Sequence, residues 1–132
     1  YHKNIKFVKK QMARHNELGK KGEELAESYL LHKGYHILQR NWVYGKFELD
    51  IIASYSNTLV VVEVKTRRNT LFIKPEKAVD QNKIKRIVVA TQAFIEEHNI
   101  NQPVRFDIIS IIGEKAPYAI DHFPNAFYPP IF

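Results

Sequence analysis

Cysteine is absent from this 132-residue chain, which excludes a disulfide framework and any thiolate zinc site. Its absence fits a reducing compartment. No apolar run approaches the roughly 18 residues of a membrane span, and the first residues lack the apolar core of a signal peptide. A soluble, cytoplasmic protein with no membrane partner is therefore expected. The six histidines show no metal-binding spacing, no serine sits in a nucleophile elbow, and no glycine-rich dinucleotide turn is present. Gly19-Lys20-Lys21-Gly22 lacks the Gly-Lys-Ser/Thr ending of a phosphate-binding loop. Internal repeats and low-complexity stretches are absent as well.

The composition that remains is 45% hydrophobic, enough for one compact domain with a single sizeable core. Acidic residues are in deficit, 14 against 20 Lys and Arg, giving a formal net charge of +6. Such a balance favours polyanionic partners such as nucleic acid or an anionic membrane, with simple solubility as the alternative. Residues 1–15 form a basic N-terminal extension, 16–123 the domain proper, and 124–132 a Pro- and aromatic-rich tail expected to wrap the surface or pack in a dimer contact rather than continue the sheet. Asn16 is a credible N-cap for a helix ending at Gly34, with Leu18, Gly22, Leu25, Ala26, Tyr29 and Leu30 on its apolar face. Glu23 borders that face. Gly19 and Gly22 are costly inside a helix, which implies helix-to-sheet packing or close approach of a backbone or phosphate.

A first strand follows over Tyr35 to Val43, then a turn at Tyr44-Gly45-Lys46. Phe47 to Ala53 and Leu59 to Thr66 read as a β-hairpin around Tyr55-Ser56-Asn57-Thr58. Arg67 to Lys74 has no periodicity and is expected to be a loop; Pro75 to Val79 leads into a second helix with Ile84, Ile87, Val88, Thr91, Phe94 and Ile95 on one face. Val104 to Ile112 is a further strand, and Ala119 to Phe123 a short edge strand.

The hairpin carries charges where a core strand should have none: Glu48, Asp50, Glu63 and Lys65. Side chains alternate along a strand, so Glu48 and Asp50 share one face, as do Glu63 and Lys65. A turn centred between Ser56 and Asn57 sets Asp50 opposite Glu63 and Glu48 opposite Lys65, about 4.5–5.5 Å apart at Cβ. Two carboxylates so close require a cation between them, and hard oxygen ligands suit Mg²⁺ or Mn²⁺. A cross-strand ion-pair ladder, Glu48 with Lys65, is the competing reading. Phosphodiester hydrolysis needs the first arrangement: carboxylates to hold a divalent cation, and cations to offset charge developing on the phosphate.

Asp50 with Glu63-Val64-Lys65 resembles the PD-(D/E)xK nuclease motif. More narrowly, Gly22-Glu23 with Ala26, Gly34-Tyr35, Asn41-Trp42, Glu48-Leu49-Asp50-Ile51-Ile52-Ala53, Val62 to Arg67, Ala78-Val79, Lys83 and Arg105-Phe106-Asp107 resemble the YraN-like family of predicted endonucleases. That family is similar in motif layout to archaeal Holliday-junction resolvases. The resemblance implies an α/β, restriction-endonuclease-like core of helix, three strands, helix and strand, its mixed central sheet flanked by helices. It implies Asp50 and Glu63 as metal ligands, Lys65 as the residue that orients or polarises water, and Glu23 as a further catalytic carboxylate. DNA is expected ahead of RNA, with Lys20, Lys21, Arg67, Arg68, Lys83 and Arg86 as phosphate contacts. Branched DNA is an open possibility, and the dimeric resolvases leave a homodimer open too. A binding protein that keeps the fold without cutting is the alternative. Phe47 departs from the pattern, standing where many relatives have Gly.

Overall fold

The computed structural model describes residues 2–69 and 80–129, with side chains from residue 17 onward. The expectations for Thr70 to Val79, for the side chains of the basic N-terminal stretch and for residues 130–132 lie outside the described residues. Among them no helix is long and apolar enough to cross a membrane.

Helix α1 spans His2–His32, and so begins well before Asn16, the expected start. No Pro or Gly interrupts residues 2–18, and a good N-cap residue does not stop a helix that has turns to continue into. The other end is as expected. Gly34 takes φ +90°, and Tyr35 N–H donates to the Leu30 carbonyl (3.0 Å) while Gly34 N–H donates to Leu31 (3.1 Å), the two bonds of a Schellman stop.

Strands β1 (His36–Tyr44), β2 (Phe47–Tyr55), β3 (Thr58–Arg67), β4 (Val104–Ile112) and β5 (Ala119–Phe127) form one sheet in sequence order. All neighbours are antiparallel except β3 and β4, which run parallel. A parallel pair needs a long crossover, and α2 (Gln81–His98) lies within it. Asp80 caps α2 by accepting from Lys83 N–H at 2.8 Å, and Asn99 closes it in the left-handed region.

The helices cover opposite faces. Ala26 and Leu30 of α1 pack with Ile51, Ala53, Val60, Val62, Ile109 and Ile111; Ile84, Ile87, Ala90 and Phe94 of α2 pack with Leu49, Ile52, Leu59, Val61, Phe106 and Ile108. Central strands buried on both sides explain the near-continuous apolar runs. This α/β architecture, a five-stranded mixed sheet with two helices, fits a restriction-endonuclease-like core.

The edge strand β5 extends past Phe123 to Phe127, through Pro124, where a surface wrap was expected. Its pairing shifts between Phe106 and Ile108 of β4, and Asn125 takes φ 51°. This is a bulge, the position at which an edge strand accommodates proline. It turns the Asn125 N–H onto Asp107 Oδ1 at 3.1 Å. Asp107 is fully buried and also accepts from Arg105 through both oxygens (2.9 and 2.8 Å) and from His122 Nε2 (2.7 Å). Arg105 reaches on to the Tyr35 hydroxyl at 2.7 Å. Its donors thus come from its own strand and from β5.

Burial alone would raise the Asp107 pKa, but the hydrogen bonds from His122 and Arg105 outweigh it and hold the carboxyl below its ordinary value. A depressed carboxyl contributes stability above its unfolded pKa and loses it as pH falls through the folded one. Denaturant melts should therefore show wild-type stability dropping below about pH 4. Asp107→Ala should cost about 3–5 kcal/mol at neutral pH, as for breaking a buried pair, and should lack that part of the acid dependence.

Candidate active site

The hairpin turn has the geometry its residues suggest: Ser56 and Asn57 both take positive φ, 48° and 59°, a two-residue type I′ turn that sets Tyr55 against Thr58. Pairing then runs in the expected register as far as Ile51 with Val62, and ends there. One residue further, Asp50 does not pair as a strand residue. Its Oδ2 accepts the Val64 N–H at 2.9 Å, so a carboxylate satisfies an amide that β2 no longer reaches.

The pleat also slips at Asp50. Leu49 and Ile51 stand two residues apart, yet Leu49 packs towards α2 and Ile51 towards α1. On β1, Asn41 takes φ 50° between Arg40, paired with Ile51, and Trp42, paired with Leu49. The regular alternation from which Glu48 and Asp50 were expected to share one face is broken there, although both still line one cavity. Nor does Glu48 meet Lys65: the two strands have parted before that level, and the Lys65 ammonium lies 3.8 Å from Glu63 Oε1 instead. The Glu48–Lys65 ladder is therefore absent.

The cleft opens where β2 and β3 separate, beside the carboxyl end of the parallel β3–β4 pair, where α/β sheets commonly bind ligands. A cavity of about 320 Å³ is lined there by Glu23, Asp50, Glu63, Lys65 and Lys83, with Leu18, Gly19, Val64 and Thr66. All four residues expected to act in catalysis thus line one space. Glu63 is the most enclosed, its side chain 6% exposed, and its Oε1 takes a second cation, Lys83 at 3.2 Å from α2. Glu23 arrives from α1 because Gly22 lies against Thr66; a Cβ on Gly22 would collide with the Thr66 hydroxyl. Gly19 has open space where its side chain would be. Arg40 approaches Glu23 at 3.8 Å while binding Glu27 at 2.8 Å.

Two of these carboxyls, Asp50 and Glu23, resist ionisation. Burial, then repulsion from Glu63 and Glu23, pushes Asp50 well above the usual carboxylate range, against the Val64 amide and Lys83. Glu23 is raised by burial and by Glu48 and Glu63, with Asn41 and Arg40 opposing. Carboxyls raised by burial and by acidic neighbours are a signature of functional sites. Among the described residues no group of three or more acids, histidines or cysteines stands ready to hold a metal ion. Asp50 and Glu63 supply hard oxygens only, and Mg²⁺ characteristically takes one or two carboxylates, completing its shell with water and phosphate. The donor set fits that cation.

Two further cavities adjoin this one. The first, about 340 Å³, shares Leu18 and is lined by Glu17, Lys21, Arg68, Glu114 and Tyr118. The second, about 290 Å³, shares Asp50 and Lys83 and is lined by Lys46, Phe47, Glu48, Arg86 and Ile87. An acidic centre is thus flanked by cations on both sides. Lys21, Arg68, Lys83 and Arg86 fall on this groove; Lys20 is exposed on α1 and Arg67 half-buried at the end of β3, and neither lines these cavities. Two features escaped the sequence reading. Lys46 has no periodicity to mark it in its turn, and Lys83, read as a phosphate contact, pairs with Glu63 across a separation no local pattern reveals.

The model of an uncharacterised protein family, UPF0102, matches residues 22–111. The chain is similar to UPF0102 proteins of Bacteroides thetaiotaomicron (59% identical over 121 residues, 92% of this chain and all of that one) and Phocaeicola vulgatus (56%, same coverage). A third, from Flavobacterium psychrophilum, is 44% identical over 89% of this chain and 98% of its own length.

Because burial and like charge destabilise the Asp50 carboxylate, its raised pKa favours folding at low pH, and that contribution is lost as pH rises through the folded value. In EDTA, Asp50→Asn should stabilise the protein at neutral pH by about 0.5–2 kcal/mol, typical of relieving a functional-site strain. The gain should shrink towards pH 4. Thermal melts across pH check both.

Proposed function

The chain belongs to the UPF0102 family, and from that premise and the groove we propose that it is a metal-dependent nuclease hydrolysing phosphodiester bonds in DNA. The observation that carries this reading is the meeting of Asp50, Glu63 and Lys65 in one cleft, with adjoining cavities that bring Lys21 and Arg68 to one end and Lys46 and Arg86 to the other. Asp50, through the oxygen not engaged by Val64, and Glu63 would hold Mg²⁺ or Mn²⁺. The ion would supply a water of lowered pKa and offset charge on the phosphate. Lys65, on the same face as Glu63, orients that water or stabilises the charge gathering on the transferring phosphoryl group. Glu23, tethered by Arg40, acts from the α1 side of the cleft. Lys21 and Arg68 at one end and Lys46 and Arg86 at the other bind flanking phosphates, positioning the backbone without reading sequence.

Lys65 contributes mainly in the transition state on this reading, so its loss slows cleavage rather than binding. Single-turnover assays with Mg²⁺ or Mn²⁺ over single-stranded, duplex, flap and four-way DNA, with RNA alongside, should show cleavage by wild type and none by Asp50→Ala. Lys65→Ala should cleave roughly 100- to 1,000-fold more slowly, with affinity within a few-fold of wild type. Equal cleavage by Lys65→Ala would refute its role. The likeness to resolvases favours the four-way substrate, and the panel decides it.

A binding protein without turnover is the second reading. One observation favours it: Glu63 already has two lysines, as in a site neutralised by ion pairs. DNA affinity falling steeply with salt is expected of both readings, because phosphate neutralisation releases counterions. A flat salt response would count against both.

A further inference from the structure

Glu63 poses a problem of charge. Its side chain is almost wholly enclosed, and a buried carboxylate is costly unless paired. Among the described residues two ammonium groups compensate it, and they converge on one oxygen, Oε1, at 3.2 Å from Lys83 and 3.8 Å from Lys65. The two lysines are not equivalent. Lys65 is fixed two residues along the same strand, whereas Lys83 reaches across from the first turn of α2. Lys83 is also the more exposed, 37% against 26%, and it is the nearer to Glu63. Its charge acts on Asp50 as well. Lys83 is therefore the cation shared by the two carboxylates.

We propose that Lys83 is a displaceable counter-ion, holding in the metal-free protein the charge position that a divalent cation takes, so that metal loading requires Lys83 to leave Glu63. This rests on the metal-dependent reading of the site. Three positive groups cannot crowd one carboxylate oxygen without strong mutual repulsion, and a divalent ion must also be close to both carboxylates. One lysine has to yield. Lys83 has somewhere to go: it lines both the central cavity and the adjoining one, which Glu48 lines as well. A flexible four-carbon stem allows that swing without moving α2. Lys83 is accordingly a positioning residue that sets metal affinity, distinct from Lys65, which stays beside the reacting phosphate.

Manganese titrations by calorimetry, on the whole protein without nucleic acid, test this with Lys83→Met and Lys65→Met, each of which keeps the stem and removes the charge. Lys83→Met should bind Mn²⁺ about tenfold or more tighter than wild type, in the range of a coupling between neighbouring sites, and Lys65→Met should change affinity less. In EDTA, Lys83→Met should melt below wild type, and Mn²⁺ should raise its Tm by more than it raises that of wild type. Lys83→Arg, which keeps the charge, should bind as wild type does and guards against a folding defect in the Met variant. Mn²⁺ binding that is lost in Asp50→Ala but unchanged or weakened in a cooperatively folded Lys83→Met would overturn the role of Lys83 and leave the metal site standing. No Mn²⁺ binding by any variant, wild type included, would overturn the metal-dependent reading and this inference together.

Discussion

The site depends on one substitution of partners: the Asp50 carboxylate takes the Val64 N–H that a β2 carbonyl would otherwise have received. A sheet is a ladder of obligatory hydrogen bonds, and two strands cannot part inside a protein without leaving amides unpaired. Asp50 removes that obstacle at the place where the ladder ends. The fork so made admits Glu23 from the α1 side and Lys83 from the α2 side. Groups separated by the thickness of the sheet thereby come to face one cavity.

The chain buries Asp107 fully and Asp50 in part, and treats these two strand aspartates oppositely. Asp107 is surrounded by donors from its own strand, from β5 and from the β5 bulge, and its carboxyl is held below the ordinary range. Asp50 has one amide, with Glu63 and Glu23 as acidic neighbours, and its carboxyl is held above it. The first acid stabilises the fold by holding β5 against β4. The second is left under-compensated, which costs stability and is the usual condition of a group reserved for binding. Arg105-Phe106-Asp107, marked in the sequence by likeness alone, thus belongs to the frame and not to the cleft.

What could be read from sequence was local. Ser56-Asn57 defined the turn, and the turn defined the register that brings Asp50 level with Glu63; Gly34 and the apolar stripe of α2 were as legible, because each signal acts within a few residues. The misreadings arose where a distant partner decides the outcome. Pro124 argues against a strand until the buried Asp107 is known to turn a bulge there. Strict alternation puts Leu49 and Ile51 on one face until the left-handed Asn41 and the slipped pleat are seen to send them to opposite faces. The early start of α1 is a different case, since a favourable cap competed with a longer run of helix formers and lost.

The cations along the groove differ in how firmly they are held, and the difference orders what can happen there. Arg68 is only 3.8 Å from Glu114, and both side chains are largely exposed, 47% and 67%. Such a pair contributes little and is readily exchanged for a phosphate. Among the described residues Arg86 makes a long bond from its Nε to the Asn82 carbonyl, 3.3 Å. The outer cations are therefore available to a polyanion at small cost. Lys83, against an enclosed carboxylate, is not: drawing it away leaves Glu63 short of charge unless another cation replaces it. In the proposed nuclease, a nucleic acid backbone can settle on the arms of the groove before the centre is loaded, and the central carboxylates lose their lysine only when something of higher charge arrives.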